Sequence, residues 1–305
     1  MKADAVFEGG GVRGIALAGA IQVFEDAGYT WERVAGTSAG AIIAALLASG
    51  FTAAELKSII ESLQYRELLG RGVLNRIPLF GGGLSLLFKL GLYSNEKLEQ
   101  WMSGLLLQKN IRTFSDLPPG KLTIIASDIS NGKMLVLPDD LHEYGISPEQ
   151  FPIATAVRMS TSIPFFFQPY RWRSPISVRP TFVVDGGILS NYPIWLFDTA
   201  GEPRWPTFGF KLSERHTVTD PVRIKGPLSM SRALFKTMLQ AHDQRHVDEH
   251  GKSRTIFIPT GEITSTQFSL GPDAVAFLRY SGAMAAESFL SSWDFAVYKS
   301  KFRSS

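Results

Sequence analysis

The sequence predicts an α/β fold, a parallel sheet covered by helices, on two observations. The first fifty residues alternate strand and helix patterns in the order βαβα, and strand patterns return beyond Pro119 after an intervening helical stretch. The sheet is therefore assembled from both halves of the chain. "KADAVFE" at 2–8 reads as the first strand, and residues 13–28, "RGIALAGAIQVFEDAG", as a helix that closes at Gly28. "RVAGT" at 33–37 is the second strand. The segment after it, "AGAIIAALLASG", is apolar on all faces and is expected to be a buried helix. Thr52 and Glu55 have capping-box spacing at the start of a third helix. A fourth follows Ser94, with Leu98, Trp101, Met102 and Leu105 on one face.

Past Pro119, "KLTIIAS" (121–127) and "KMLVLP" (133–138) alternate as strands, a helix-like stretch begins at Phe151, and "TFVVDGG" (181–187) and "TFGFKL" (207–212) follow as strands. Residues 228–250 read as a long amphipathic helix whose stripe Met230, Leu234, Met238 and Ala241 belongs in a core. "TIFIP" (255–259) is a strand and 272–299 a closing helix. No repeat or linker divides these pieces, so residues 1–305 are expected to form one domain, with 66–92 as an excursion suited to a lid or an interfacial segment.

Composition narrows the chemistry. Hydrophobic residues make up 45% of the chain, enough for a substantial core, and 31 basic against 28 acidic residues leave a net charge of only +3. That balance argues against a dedicated nucleic-acid binder and tolerates an anionic membrane surface. The absence of cysteine removes disulfides and thiolate metal sites, so a nucleophile must be oxygen or nitrogen. "MKADAVFEGGG" lacks the apolar core of a signal peptide, which leads to an expected cytoplasmic or peripherally membrane-associated location, with non-Sec secretion as the alternative. The most membrane-like stretch, 77–93, is too short to span a bilayer, carries Lys89 and is broken by Gly81, Gly82 and Gly83. It fits a mobile interfacial segment or a buried helix after a glycine hinge.

Three short motifs carry chemistry. In "VFEGGGVRG", the residues Gly9, Gly10, Gly11, Val12, Arg13 and Gly14 lie between strand and helix, where bare backbone lets N–H groups approach an anion: a nucleotide phosphate or the oxyanion of an attacked ester. In "GTSAG", Gly36, Thr37, Ala39 and Gly40 surround Ser38 at a strand-to-helix turn, the context of a nucleophile elbow; the alternative is a serine that simply caps the next helix. In "FVVDGG", Asp185 followed by Gly186 and Gly187 ends a strand, at the rim where open α/β sheets place ligands, or forms an Asp-Gly turn. Together the three have complementary tasks in acyl transfer: Ser38 attacks, Asp185 takes its proton, and the glycine amides receive the oxyanion. An ordinary aspartate is a weak base, so the reading requires desolvation to raise its proton affinity.

Here the sequence resembles the patatin-like phospholipases, lipid acyl hydrolases with a Ser-Asp dyad. The family's G-G-G-x-[RK]-G matches residues 9–14, its G-x-S-x-G residues 36–40, and its D-G-[GA] residues 185–187, in the family's order. "GLYSNEKLEQWM" (91–102), "STSIPFFFQP" (160–169) and "DGGILSNYP" (185–193) extend the match, with Met159 standing where relatives usually carry alanine. The resemblance implies a three-layer α/β/α sandwich with a mostly parallel central sheet. It also implies a phospholipid or other lipid ester as substrate, a dyad that needs no metal and no cofactor, and Arg13 as electrostatic support for the oxyanion loop.

Other readings fit less of the chain. Gly9, Gly11 and Gly14 satisfy G-x-G-x-x-G, but a dinucleotide site expects an acidic residue ending the second strand, where "GTSAG" stands instead. A Ser-His-Asp esterase would use His216 or His242, which lie downstream of Asp185. His242, His246 and His250 share a helical face, yet the glutamate of H-E-x-x-H is missing, and helix-end histidines suit the dipole. A non-catalytic lipid-binding module would be favoured by loss of nucleophile, base or oxyanion loop, and all three are retained.

Overall fold

The structure is a computed structural model that describes residues 1–62, 70–71, 89–199, 201–213, 224, 226, 229–230, 233–234, 237–238, 249–265, 267 and 269–302. The first half supplies β1 (Lys2–Phe7), α1 (Ile15–Asp26), β2 (Thr30–Thr37), α2 (Ala39–Ala48), α3 (Ala53–Ser62), β3 (Gly70–Arg71), β4 (Gly91–Ser94) and α4 (Glu96–Gln108). The second half adds β5 (Leu122–Asp128), β6 (Lys133–Leu137), α5 (Ile153–Ser160), β7 (Phe165–Phe167), β8 (Tyr170–Trp172), β9 (Thr181–Asp185) and β10 (Thr207–Ser213). It closes with α6 (Glu249–Ser253), β11 (Thr255–Pro259), α7 (Pro272–Ser292) and α8 (Phe295–Phe302).

The main sheet runs β11-β10-β1-β2-β5-β9-β8, with β6 also on β5. It is parallel from β11 through β5 and antiparallel where β6, β9 and β8 join. Side-chain alternation assigns its faces. Ala3, Ala5 and Phe7 of β1 join the large core shared with α1, α2 and α7, whereas Val6 packs on the other side with Ala35, Tyr192, Ile194 and Phe197. Helices thus cover one face and the 192–197 segment the other, the layering of an α/β/α sandwich. Phe24 of α1 is the hub on the helical side, edge-on to Phe208 and Phe210, stacked with Phe289 and tilted against Tyr29 and Trp31.

Local signals decide most of the boundaries. Every residue of α2 except Ile42 is buried, as its uniformly apolar sequence requires. The α3 capping box is formed in both directions: the Glu55 amide donates to Thr52 Oγ1 (3.2 Å) and the Thr52 amide to Glu55 Oε2 (2.8 Å). In α4, Leu98, Met102 and Leu105 are buried and Trp101 packs partly against the core.

Two expectations change. The closing helix is two helices, because Trp293 is extended (φ −79°, ψ 129°) and packs its ring on Phe208 and Phe289, while Asp294 Oδ1 accepts the Val297 amide (2.9 Å) to start α8. Met230, Leu234 and Met238 are exposed. An apolar stripe is buried only where another element covers it, and among the described residues none covers this one. The excursion at 66–92 contributes strands at both ends: β3 and β4 pair with each other, and β4 with β7, in a second small sheet. Residues 72–88 and most of 228–250 lie outside the described residues.

Candidate active site

The site is created by the way β5 shares one of its edges. β6 occupies the other edge from Ile124 to Asp128. On the shared edge β2 runs parallel and ends with Thr37 opposite Ile125, and β9 runs antiparallel and ends with Asp185 opposite Ala126. The carboxyl ends of β2 and β9 therefore meet head to head across consecutive residues of β5. A parallel strand ending in Asp185 would reach the same rim, but β9 does so by starting beyond it and running back.

Ser38 leaves β2 in a sharp turn with φ 53° and ψ −121°, a conformation that costs a non-glycine residue about 1–3 kcal/mol and is sustained only by its surroundings. Two close approaches explain the flanking glycines: a Cβ at Gly36 would collide with the Gly40 carbonyl, and one at Gly40 with the Phe7 carbonyl. The Ser38 amide donates to Ser160 Oγ (2.8 Å), and the Ser160 hydroxyl donates to the Ile125 carbonyl (2.6 Å). Thr37 Oγ1 donates to the Ser190 carbonyl (3.0 Å). Ala39 opens α2, so the helix N-terminus and its positive dipole end lie directly beside Ser38.

The Ser38 hydroxyl donates to Asp185 Oδ2 at 2.6 Å, and both residues are buried. Asp185 Oδ1 accepts the Gly187 amide (2.8 Å), and its own amide donates to the Ser162 carbonyl (2.9 Å). Burial pushes the Asp185 carboxyl up from its ordinary 3.8 to about 7, against the bonds from Ser38 and Gly187, which favour the carboxylate. Desolvation thus supplies the basicity that an exposed aspartate lacks. No imidazole stands between Ser38 and Asp185, since the two are bonded directly; His216, His242 and His246 lie outside the described residues.

The glycine loop lies against the nucleophile: a Cβ at Gly9 would stand 3.1 Å from the Ser38 Cβ, and one at Gly14 2.9 Å from the Ala39 Cβ. Asn191 holds Gly9 from both sides, its carbonyl accepting the Gly9 amide (3.1 Å) and its side-chain amide donating to the Gly9 carbonyl (3.3 Å). Arg13 is buried and donates twice to the Gly10 carbonyl, from its backbone amide (3.2 Å) and from Nε (3.3 Å). Because the peptide is planar and trans, fixing that carbonyl aims the Gly11 N–H the opposite way. The Gly10 and Gly11 amides bond to no described residue. Val12, whose amide lies in the same loop, instead donates to the Ser265 carbonyl (3.1 Å), which leaves it facing away from an anion.

Ser38 opens on a cavity of about 100 Å³ whose lining is almost wholly apolar, including Ile42, Ile43 and Leu46 of α2, Leu56 and Ile59 of α3, and Trp101 of α4. The arrangement is a buried, hydrogen-bonded serine and carboxylate, a glycine loop against them with two amides that bond to no described residue, and a greasy slot leading away. A family model described as patatin-like phospholipase matches residues 5–198, a span holding both Ser38 and Asp185.

The chain belongs to the patatin-like phospholipase family.

As a member it is a hydrolase of lipid esters. The Bacillus subtilis (strain 168) protein YqhO is 44% identical over 97% of this patatin-like chain and all of its own length. A probable lipid hydrolase, 463L of Invertebrate iridescent virus 6, is 29% identical over 62% of this chain and 61% of its own. Among solved structures, VipD from Legionella pneumophila superposes with a TM-score of 0.57 at 19% identity, covering 95% of this chain and 67% of VipD. The type III effector ExoU of Pseudomonas aeruginosa gives 0.52 at 17%, covering 95% and 53%. At those identities the likeness concerns the fold.

Sequence reasoning named the residues of the patatin motifs and missed two that hold them, Ser160 and Asn191. Both stand inside stretches that match the family, "STSIPFFFQP" and "DGGILSNYP", but their partners are distant in sequence. Met159, the departure from the usual pattern, is fully buried in the main core beside Ser160.

Ser160→Ala leaves the buried Ser38 amide without an acceptor, which should cost about 1–3 kcal/mol in denaturant unfolding and, by loosening the elbow, about 100-fold in kcat. The raised proton affinity of Asp185 makes a second prediction. The folded state holds that proton more tightly than the unfolded chain, so the ionised carboxyl costs stability, absent below pH 4 and complete above pH 7, on the order of 4 kcal/mol. Asp185→Asn should therefore raise Tm, and raise it more at pH 8 than at pH 5; an equal or lower Tm at pH 8 contradicts the burial argument.

Proposed function

We propose that the protein is an acyl hydrolase of the phospholipase A or lysophospholipase type, acting through a Ser38–Asp185 dyad and an acyl-serine intermediate on lipids of a membrane surface. The observation that carries this reading is the 2.6 Å hydrogen bond from Ser38 to a desolvated Asp185 at the mouth of an apolar cavity. Asp185 Oδ2 accepts the hydroxyl proton as Ser38 Oγ adds to the ester carbonyl carbon. The charge that develops on the carbonyl oxygen is received by the Gly10 and Gly11 amides, preorganised by Arg13 and Asn191 and aided by the α2 dipole. Collapse breaks the ester C–O bond, and the departing alcohol takes the proton from Asp185. Water then gives a proton to Asp185 as it attacks the acyl-serine, which frees the fatty acid and returns the proton to Ser38.

The cavity gives the acyl chain its place. Leu46 lies eight residues along α2 from Ser38, ~12 Å deep at the helical rise. The test is fatty-acid release from phosphatidylcholine vesicles bearing distinguishable labels on the two acyl chains. Wild type should release one label in excess, Ser38→Ala and Asp185→Asn should lose about 10³-fold or more, and Leu46→Trp should shift preference toward shorter chains. Full release by folded Ser38→Ala would end the proposal.

A further inference from the structure

We propose that the 173–180 loop, which joins β8 to β9, docks the protein on an anionic phospholipid bilayer. The inference rests on the substrate being a lipid presented by a membrane. The loop is pinned at its base: Ser174 is buried, its hydroxyl donates to the Tyr144 carbonyl (2.5 Å), and it accepts the Ile176 amide (3.3 Å). Beyond that anchor Ile176 is 67% exposed and Val178 fully exposed. Ile129, also exposed, stands at the same end of β9, its amide donating to the Phe182 carbonyl (3.0 Å). Aliphatic side chains presented to water at one end of the molecule add nothing to the core and mark a surface that meets something apolar.

The surrounding charge identifies what that is. Arg171, Arg173 and Arg179 are exposed on the same strand and loop, and among the described residues none of them makes an ion pair. In the adjoining 139–144 turn Asp140 and Glu143 are engaged by Lys133, which leaves the exposed Asp139 as one carboxylate beside three arginines. An aliphatic loop flanked in sequence by arginines that make no ion pair among the described residues is complementary to a layer of anionic headgroups over hydrocarbon. Its position suits the chemistry. β9 needs four steps to run from Thr181 back to Asp185, ~13 Å at the rise of a strand, and it comes from beyond the carboxyl end of β2, the side on which open sheets receive ligands. The loop therefore stands on the substrate side of the dyad.

Cosedimentation with vesicles tests this. The parent for binding is Ser38→Ala, so that lipid is not consumed, and the vesicles are phosphatidylglycerol mixed with phosphatidylcholine, or phosphatidylcholine alone. The parent should bind the anionic vesicles more tightly. Ile176→Ser with Val178→Ser should weaken binding about tenfold or more, and Arg171→Gln, Arg173→Gln and Arg179→Gln about fivefold per arginine, the latter loss shrinking in high salt. In the active background these loop variants should keep the Tm and the turnover of a soluble short-chain ester while losing release from anionic vesicles. Unchanged vesicle binding in the variants, a parent that ignores anionic vesicles, or a parallel loss of short-ester turnover overturns the docking loop. Loop-dependent binding without hydrolysis by any variant would instead overturn the dyad reading and leave the docking loop standing.

Discussion

Everything at the candidate site depends on two strands ending against one edge of a third. β2 and β9 approach from opposite directions along β5 and stop at Thr37 and Asp185, opposite Ile125 and Ala126. That junction brings a hydroxyl and a carboxyl 147 positions apart into a 2.6 Å hydrogen bond inside the protein, where neither would stay on a flexible loop. The sheet fixes the two backbones, the Ser160 hydroxyl ties the elbow to the β5 carbonyl, and Ser162 ties the Asp185 amide. Under the proposed mechanism, preorganisation of this kind takes the place of a third group that would orient the base.

The same junction holds two unfavourable features that only a large core can sustain. Ser38 keeps a positive φ, and Asp185 keeps a carboxyl that prefers its proton up to about neutral pH. Both are offset by the burial of β1, α1, α2 and α7 around Phe24. Strain and desolvation of this sort make the site less stable than its neutral replacement and more reactive, a trade that recurs at functional sites. The glycine loop is pinned beside it: Arg13 holds the Gly10 carbonyl and Asn191 the Gly9 carbonyl, and the Gly10 and Gly11 amides bond to no described residue.

Much of this was legible in the sequence, and the gaps have physical causes. The elbow reads directly, because small residues around Ser38 between an apolar strand and an apolar helix leave few other structures open. The direction of β9 does not, since alternating side chains look the same in parallel and antiparallel strands, and Asp185 ends the strand either way. Ser160 was hidden because its role joins residues 122 positions apart. Val12 sits in the glycine motif, yet Ser265, far along the chain, takes its amide. The break at Trp293 has neither proline nor glycine to announce it. It follows from the packing of one indole on Phe208 and Phe289, tertiary context overriding local propensity.

The central claim is that Ser38 is activated by direct contact with a desolvated Asp185, and the most direct measurement is the rate of covalent labelling by an alkyl fluorophosphonate as a function of pH, with the adduct located by mass spectrometry. The account predicts a single adduct on Ser38 whose rate of formation climbs tenfold per pH unit below about 7 and levels off above it, with that dependence lost in Asp185→Asn. An adduct elsewhere, or labelling of Ser38 at an unchanged rate in Asp185→Asn, would contradict it.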